Sequence, residues 1–278
     1  MTSVSNSETS SPVTQKRTSI FWRLAEDIPP GLDTVLRLIS VIVPLGLWWL
    51  IASLGVVNAK FLPSPVEVIQ SLWVFWEKGL LVEDTLASIF RVTTGFLLAA
   101  ILSIPVGIAM GAFASIRALL EPIMGIVRYM PATAFIPLLI IYLGLDEPPK
   151  IALIFIGVIF FNTLMIMDAV KFVPKDLLET TYTLGGSKRQ TLFRVITPYV
   201  VPNILDTFRI NMAAAWNLVV VAELLAANEG LGKRIQLSQK FFRTDDIFAY
   251  LIILGIIGFI IDLSLRLILR RTCKWAFD

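Results

Sequence analysis

An all-α membrane protein with six transmembrane helices is the fold that this sequence of 278 residues predicts, and three observations predict it. Hydrophobic residues make up 56% of the chain and the mean hydropathy is +0.78, a composition suited to a bilayer rather than to water. The apolar residues gather into runs of about 20 or more, the length a helix needs to cross a hydrocarbon core about 30 Å thick. Charged residues, 16% of the total, collect mainly between those runs.

Residues 1–34 read as a disordered tail and interfacial segment, and residues 35–278 as one transmembrane domain. Residues 1–19 are rich in Ser and Thr, nearly free of large apolar side chains and carry no signal-peptide pattern. Ile20-Phe-Trp-Arg-Leu24, followed by Pro29-Pro30, fits a short interfacial segment or a plain linker equally well. Spans are expected at about 35–55, 85–113, 118–143, 150–171, 199–227 and 246–271. Gly95, Pro105, Gly107 and Gly111 predict that the second is tilted or kinked, with a face of small residues allowing close helix approach. Only residues 114–117 separate it from the third, so the two are expected as an antiparallel hairpin.

An even number of spans puts both termini on one side. About twelve Lys and Arg lie in loops on that side, among them Arg117, Lys171, Lys175, Lys188, Arg189, Arg270 and Arg271, against about seven opposite. The termini and the loop at about 172–198 are therefore expected in the cytoplasm. Lys233, Arg234, Lys240 and Arg243 run against this trend; were their loop internal, the last span would have to be re-entrant.

Several chemistries are excluded. The chain has no His and a single Cys, Cys273, which removes His-based catalysis, His or Cys metal cages and internal disulfides. A formal charge of +3, located mainly in loops, orients a membrane protein and gives no reason to expect nucleic acid. A phosphate loop, G-x-x-x-x-G-K-[ST], is absent: Gly232-Lys233 has Ala227 in place of the first Gly and Arg234 in place of the hydroxyl that would hold Mg. A membrane hydrolase lacks a nucleophile with its base. An ion-coupled secondary transporter is the alternative, although no internal repeat supports it.

Three arginines interrupt the apolar runs. Arg91 lies near an outer helix end, where snorkelling and structural anchoring are expected. Arg128 precedes Met130, Pro131, Phe135 and Pro137; two prolines there free backbone carbonyls that need partners or a water-lined cavity, so the segment is a candidate translocation path. Arg209 follows Asp206 by one turn, and an ion pair or a path contact both fit. On the same predicted helix, Trp216 and Glu223 are seven apart and share a face, with Asn217 beside them. Glu223 fits either a pathway carboxylate or a bond to neighbouring helices.

The polar stretch 179–198 carries the most information. A short helix ending at Leu184 meets Gly185 and Gly186, a helix stop, and Ser187 with Gln190 is a capping-box pattern for a second short helix set at an angle. Basic residues beside Leu192 and Phe193 also fit an amphipathic connector resting on lipid headgroups. The order Glu179-Thr-Thr, three residues, Gly185, nine residues, Val195-Ile-Thr-Pro198 resembles the EAA loop of binding-protein-dependent ABC importer permeases. That pattern is E-A-A, three residues, G, nine residues, I-x-L-P; here Thr180 and Thr181 replace the alanines, Val195 the Ile and Thr197 the Leu.

The resemblance extends from about Phe61 to Trp275. It includes Leu62-Pro-Ser-Pro65, Ser88 to Arg91 with Gly95-Phe96, Leu120-Glu-Pro122, the 131–137 segment, Ala215-Trp216, Ala222-Glu223 and Gly230-Leu-Gly232, and is similar to the nitrate, sulfonate, taurine and bicarbonate group of these permeases. It implies a type I ABC importer-like fold in a bacterial inner membrane and a non-catalytic permease subunit that passes a small anion. It further implies a second permease subunit, expected as a homodimer, two ATPase subunits that carry ATP and Mg, and an extracytoplasmic substrate-binding protein. Glu179, Thr180, Thr181, Gly185, Gly186, Ser187, Arg189 and Pro198 would then form the ATPase-coupling surface, with no cofactor on this chain.

Overall fold

Every regular element among the described residues is helical, as a solvent without hydrogen-bonding groups requires of a spanning backbone. The computed structural model describes Phe21 and residues 28–276, apart from the side chains of residues 225 and 226. The expected 1–19 tail and, Phe21 excepted, the 20–24 segment lie outside those residues. The chain divides into two compact units, residues 1–56 and 57–278.

The first unit is α1 (Pro30–Ser53). It starts at Pro30 rather than near residue 35, because a proline at the first helical position has no N–H to leave unpaired and its φ already suits a helix. None of its residues is buried, and Asp33 and Arg37 pair at 2.8 Å one turn apart.

The second unit contains α2 (Pro65–Glu77), α3 (Leu80–Ala112), α4 (Ala114–Val127), α5 (Ile136–Leu143), α6 (Glu147–Lys171), α7 (Lys175–Thr183), α8 (Lys188–Gln190), α9 (Thr197–Ala226), α10 (Leu231–Lys240) and α11 (Thr244–Thr272). Across both units, five helices are long and apolar enough to cross a membrane, or six if the bent pair α4–α5 is one span.

Three expectations change in detail. The third span is broken by 83° between Val127 and Ala132, where Pro131 has no N–H to continue α4. The expected 114–117 connector is helical, and Phe113 alone, in extended conformation, turns α3 into α4. The second short helix after Ser187 is not separate. Through a π-helical turn at Thr191–Ile196 it runs on into α9, so that one helical path extends from Lys188 to Leu224. Pro198 accounts for that turn: it cannot donate to Arg194 and its ring displaces that carbonyl, while Thr197 Oγ1 donates to Leu192 O at 2.8 Å.

The glycine face of α3 packs on α6. A Cβ at Gly95 would come within 2.8 Å of Ile154 Cβ and Ile151 O, and one at Gly107 within 2.8 Å of Ile166 Cβ and Thr163 O; at Gly111 it would strike Val170. Without side chains at these points the backbones approach closely, which is how helices gain packing where lipid offers no hydrophobic drive. One apolar cluster, with Val92, Phe96, Ile154, Val158, Val219 and Leu254, fills the half of the unit nearer the α9–α10 turn. A second, with Ile108, Ile166, Val170, Ile196 and Val200, fills the half nearer the 172–198 loop.

Gly107→Ala is expected to lower stability by about 1–3 kcal/mol, the usual penalty of overpacking. Gly125→Ala, with nothing within 4 Å of its Cβ position, leaves stability nearly unchanged. Thermal unfolding of the two purified variants checks the contrast.

Candidate functional site

The 172–198 loop is built by two caps, a glycine stop and a reciprocal capping box. In α7 the hydroxyls of Thr180, Thr181 and Thr183 donate to the carbonyls of Asp176, Leu177 and Glu179, so three residues of modest helix propensity satisfy their polar groups within the helix. Leu184 caps it, and Gly185 takes φ +78. Gly185 N–H donates to Tyr182 O and Gly186 N–H to Thr181 O, both at 2.9 Å, the paired bonds of a Schellman stop. A Cβ at Gly186 would lie 2.6 Å from Thr181 Cγ2, so Gly186 is fixed by space and Gly185 by its dihedral.

The chain restarts at once. Ser187 Oγ accepts from Gln190 N–H at 3.3 Å, and Gln190 Oε1 accepts from Ser187 N–H at 2.8 Å. Glu179, Thr180, Gly185, Ser187, Arg189 and Pro198 are all exposed, and Thr181 and Gly186 half-buried. Beside them stand Tyr182, Leu184 and Phe193, three large apolar side chains left more than half exposed in a polar loop. The sequence marks Leu184 only as a helix end and Phe193 as part of a connector that could rest on lipid, and gives Tyr182 no role; the exposure of all three becomes visible only once α7 and its stop are folded.

The residues expected along a path fall into three places. Arg209, Trp216 and Asn217 come together with Met212, Gly258 and Asp262 around a cavity of about 210 Å³ between α9 and α11. Arg209 Nε donates to Asp206 at 3.0 Å, the ion pair that the spacing allowed, and its Nη1 reaches Asp262 of α11 at 3.4 Å. Trp216 Nε1 donates to Leu254 O at 3.0 Å and closes the wall. Along α9 the residues Asn203, Ile210, Ala213 and Asn217 are exposed and Asp206 half-buried, at spacings of three and four that make one stripe. Asn and Asp on an exposed stripe of a spanning helix do not suit lipid; they suit water or a partner chain.

Arg128, Met130, Pro131 and Phe135 occupy the α4–α5 break. Arg128 lies over the Tyr129 ring at 4.8 Å and donates to its hydroxyl at 3.0 Å. Arg128 and Met130 border a small cavity of about 40 Å³ with Gly157 and Phe161 of α6. Non-helical backbone at membrane depth is tolerated only where protein or water covers it, so the break marks a covered or wet face of the unit.

Glu223 belongs to neither group. It is fully buried (0% exposed), as is Arg91 (1%), and Arg91 Nη1 donates to Glu223 Oε1 at 2.8 Å. Arg91 also grips both carboxylate oxygens of Glu147 at 2.6 and 2.8 Å, and Glu229 O at 2.8 Å. The expectation that Arg91 snorkels is thus corrected: three acceptors hold it inside, although its anchoring role stands. Glu223 further accepts from Ser88 Oγ at 2.7 Å and from Gly232 N–H at 2.8 Å. Next to this pair, Asp84 accepts from Gly230 N–H, Arg234 and Tyr250 at 2.8–3.2 Å. Asp84 beside Arg234 raises that guanidinium further above its ordinary range. A Cβ at Gly230 would lie within 2.6 Å of Glu223 and Arg91, so the turn must be glycine.

This charge cluster joins α3, α6, α9, α10 and α11 at the end of the unit opposite the 172–198 loop. Of the four basic residues that disturbed the charge count, Arg234 is paired with Asp84 in this cluster, and Arg243 is paired separately with Asp245 and Asp246. Gly232-Lys233, the failed phosphate-loop match, is the first turn of α10. Deeper along the helices, Asn211 Nδ2 donates to Asn162 Oδ1 at 2.7 Å across α6 and α9, while Asn162 Nδ2 has no partner among the described residues.

Comparison with known proteins reads the same arrangement from another side. Residues 103–274, more than half of the chain, match the model of the binding-protein-dependent transport system inner membrane component. The chain belongs to that family. It is 33% identical over 91% of its length to the taurine transport system permease protein of Escherichia coli K12, covering 92% of that protein. It is 34% identical over 83% of its length to a putative aliphatic sulfonates transport permease protein of Bacillus subtilis 168, covering 84% of it, and 30% over 81% to the nitrate import permease protein of a Synechocystis strain, also covering 84%. Among solved structures, an inward-facing form of the MetNI methionine ABC transporter aligns with a TM-score of 0.63 at 18% identity, over 69% of this chain and 95% of that one. That likeness establishes the fold, a type I importer permease.

The chain is therefore a multi-span permease subunit of an ABC importer, a membrane component and not the hydrolase. In this permease the two threonines that stand where the family has alanines bond their hydroxyls to carbonyls inside α7, so the helix accommodates them without an unpaired polar group. The Arg91–Glu223 pair predicts a double-mutant signature. Arg91→Ala and Glu223→Ala are each expected to lower stability by about 3–5 kcal/mol, because each strands a buried charge. The double variant is expected to lose less than the sum, and thermal unfolding of the three proteins measures the coupling.

Proposed function

We propose that residues 172–198 receive the force of ATP hydrolysis and that α9, with the α4–α5 break, lines the route of a small anion. The observation that carries this reading is the doubly capped, exposed loop at one end of a helical path that runs from Lys188 to Leu224. Glu179, Thr180, Thr181, Gly185, Gly186, Ser187, Arg189 and Pro198 form the coupling surface, joined by Tyr182 and Leu184. The partner at that surface is an ATPase subunit, which holds ATP and Mg; two such subunits serve two copies of this permease. An extracytoplasmic binding protein delivers the substrate to the other side. The setting is the bacterial inner membrane, with residues 172–198 and both termini in the cytoplasm, an orientation that the Lys and Arg distribution supports.

The route is assigned to Arg128, Met130, Pro131, Phe135, Arg209, Trp216 and Asn217. Glu223 is left out of it, because its carboxylate is enclosed and committed to Arg91, Ser88 and Gly232. The polar stripe of α9 supports two copies facing each other across a shared aqueous path. The names of the relatives point to nitrate or sulfonates, taurine among them, as cargo, and the sequence resemblance adds bicarbonate. Movement of the loop would rock α9 and expose the route to each side in turn.

Gly185→Asp tests the coupling. Nothing lies within 4 Å of that Cβ, so the strain is confined to the backbone dihedral of the stop. The permease should still insert and reach normal abundance, while copurification of the ATPase subunit and uptake fall by about tenfold or more, equivalent to about 1.4 kcal/mol of lost contact. Unchanged uptake in this variant, or in one deleted for residues 179–190, refutes the assignment. A panel of nitrate, taurine, an alkanesulfonate and bicarbonate, assayed with the native binding protein, identifies the cargo. Uptake retained in Arg128→Ala removes that residue from the route.

A further inference from the structure

The helix between the first two expected spans, α2, divides its surface into three sectors that indicate what surrounds it. Its 13 residues rise about 20 Å, too little to cross a hydrocarbon core of about 30 Å. At about 100° per residue, Val68, Ser71 and Phe75 share one face, and all three are buried. Ser71 Oγ donates to Asp246 at 2.5 Å, and the Phe75 ring meets Tyr250 edge-on at 4.9 Å. Asp246 and Tyr250 stand in the first two turns of α11, so α2 lies beside the mouth of that span, at the end away from the 172–198 loop.

The exposed half of α2 is itself divided. Val66, Ile69, Trp73 and Trp76 fall on one flank, and Ile69, Trp73 and Trp76 are 65%, 63% and 58% exposed. Glu67, Gln70 and Glu77 fall on the other flank, also exposed, with Val74, 40% exposed, as the one apolar residue among them. Trp73 Nε1 donates to Glu77 at 2.7 Å, which ties the indole's polar edge to the polar flank and leaves its ring to the apolar one. A helix facing only water has no reason to segregate these residues. A helix at a membrane surface does, because one flank meets acyl chains while the next meets water.

A second segment repeats the pattern at the same level. Thr244 Oγ1 donates to Lys60 O at 2.8 Å, which brings residues 60 and 61 to the start of α11 and to the 241–243 turn before it. There Phe61, Phe241 and Phe242 are strongly exposed beside Lys60, Lys240 and Arg243. Phe242 sits at φ +53, a conformation that few residues other than glycine adopt. Aromatic rings with Lys and Arg at the mouths of spans are the composition of a membrane–water interface.

We propose that α2 is an interfacial anchor, with Ile69, Trp73 and Trp76 seated in the boundary between headgroups and acyl chains of the leaflet opposite the 172–198 loop. Phe61 and the 241–242 turn extend the same contact. Through Ser71–Asp246 and Phe75–Tyr250 the anchor sets the depth of α11, and with it the depth of the Asp84 cluster that Tyr250 joins.

A nitroxide scan of the permease in its complete complex tests this, in liposomes of phosphatidylcholine and phosphatidylglycerol. In a Cys273→Ala background, single cysteines replace residues 66, 67, 69, 70, 73, 76 and 77. Collision with apolar oxygen should rise, and collision with a water-soluble nickel chelate fall, at 66, 69, 73 and 76, with the opposite phase at 67, 70 and 77. Equal nickel accessibility on both flanks means that α2 faces water. Exclusion of both reagents at 69, 73 and 76 means that a protein chain covers it. Either result overturns the anchor, and neither bears on the coupling loop. Conservative variants provide a second measurement: Trp73→Phe with Trp76→Phe should reduce the fraction of fluorescence that lipids brominated near the headgroup quench. An unchanged quenched fraction contradicts the proposal.

Discussion

A charge or an unpaired amide in hydrocarbon has to find a partner, a wet cavity or a way out, and each notable feature of this permease is one of those three solutions. Arg91 and Glu223 find each other, and their remaining hydrogen-bonding capacity is taken up by Glu147, Glu229 O, Ser88 and Gly232 N–H. Arg209, Asp262 and Asn217 line a cavity, with Asp206 paired to Arg209 beside it. Lys188, Arg189 and Arg194 leave the apolar run altogether, in the exposed loop and the helical turns that follow it.

The two ends of the second unit consequently differ in kind. At the α9–α10 turn the charges are interior, mutually paired and packed around Gly230, which leaves little room for local rearrangement. At the loop end the polar groups are capped locally, within α7 and across Ser187–Gln190, and the apolar side chains Tyr182 and Leu184 are left over. α9 spans the distance between them, tied at one end to the cluster through Glu223 and joined at the other to the loop through a π-helical turn. In the proposed coupling, a push on the loop would travel along α9 toward a firm attachment at its far end.

Much of this was legible in the sequence. The helix stop at Gly185, the Ser187–Gln190 box and the Asp206–Arg209 pair depend on contacts within about one turn, and local spacing specifies them. The close glycine face of α3 was legible for the same reason. What sequence reading missed depends on contacts far apart in the chain. Arg91 was expected to snorkel because its partners Glu223 and Glu147 lie 132 and 56 residues away. Glu223 was weighed for the path because one strand of sequence does not reveal Ser88 and Gly232 closing over it. The short helices α2 and α10 were passed over since neither is long enough to register as a span, although Ser64 with Glu67 is a complete capping box. The break at Pro131 was anticipated as freed carbonyls, but its 83° angle was not, because a proline sets a break without setting its size.

The 172–198 loop admitted two readings, a connector resting on lipid and a docking surface for a motor, and the exposed Leu184 at its apex separates them. A photoreactive amino acid at position 184, activated in membranes that contain the intact transporter, reports directly on what touches that side chain. A discrete adduct between the permease and the ATPase subunit is expected. Labelling of lipid alone would contradict it.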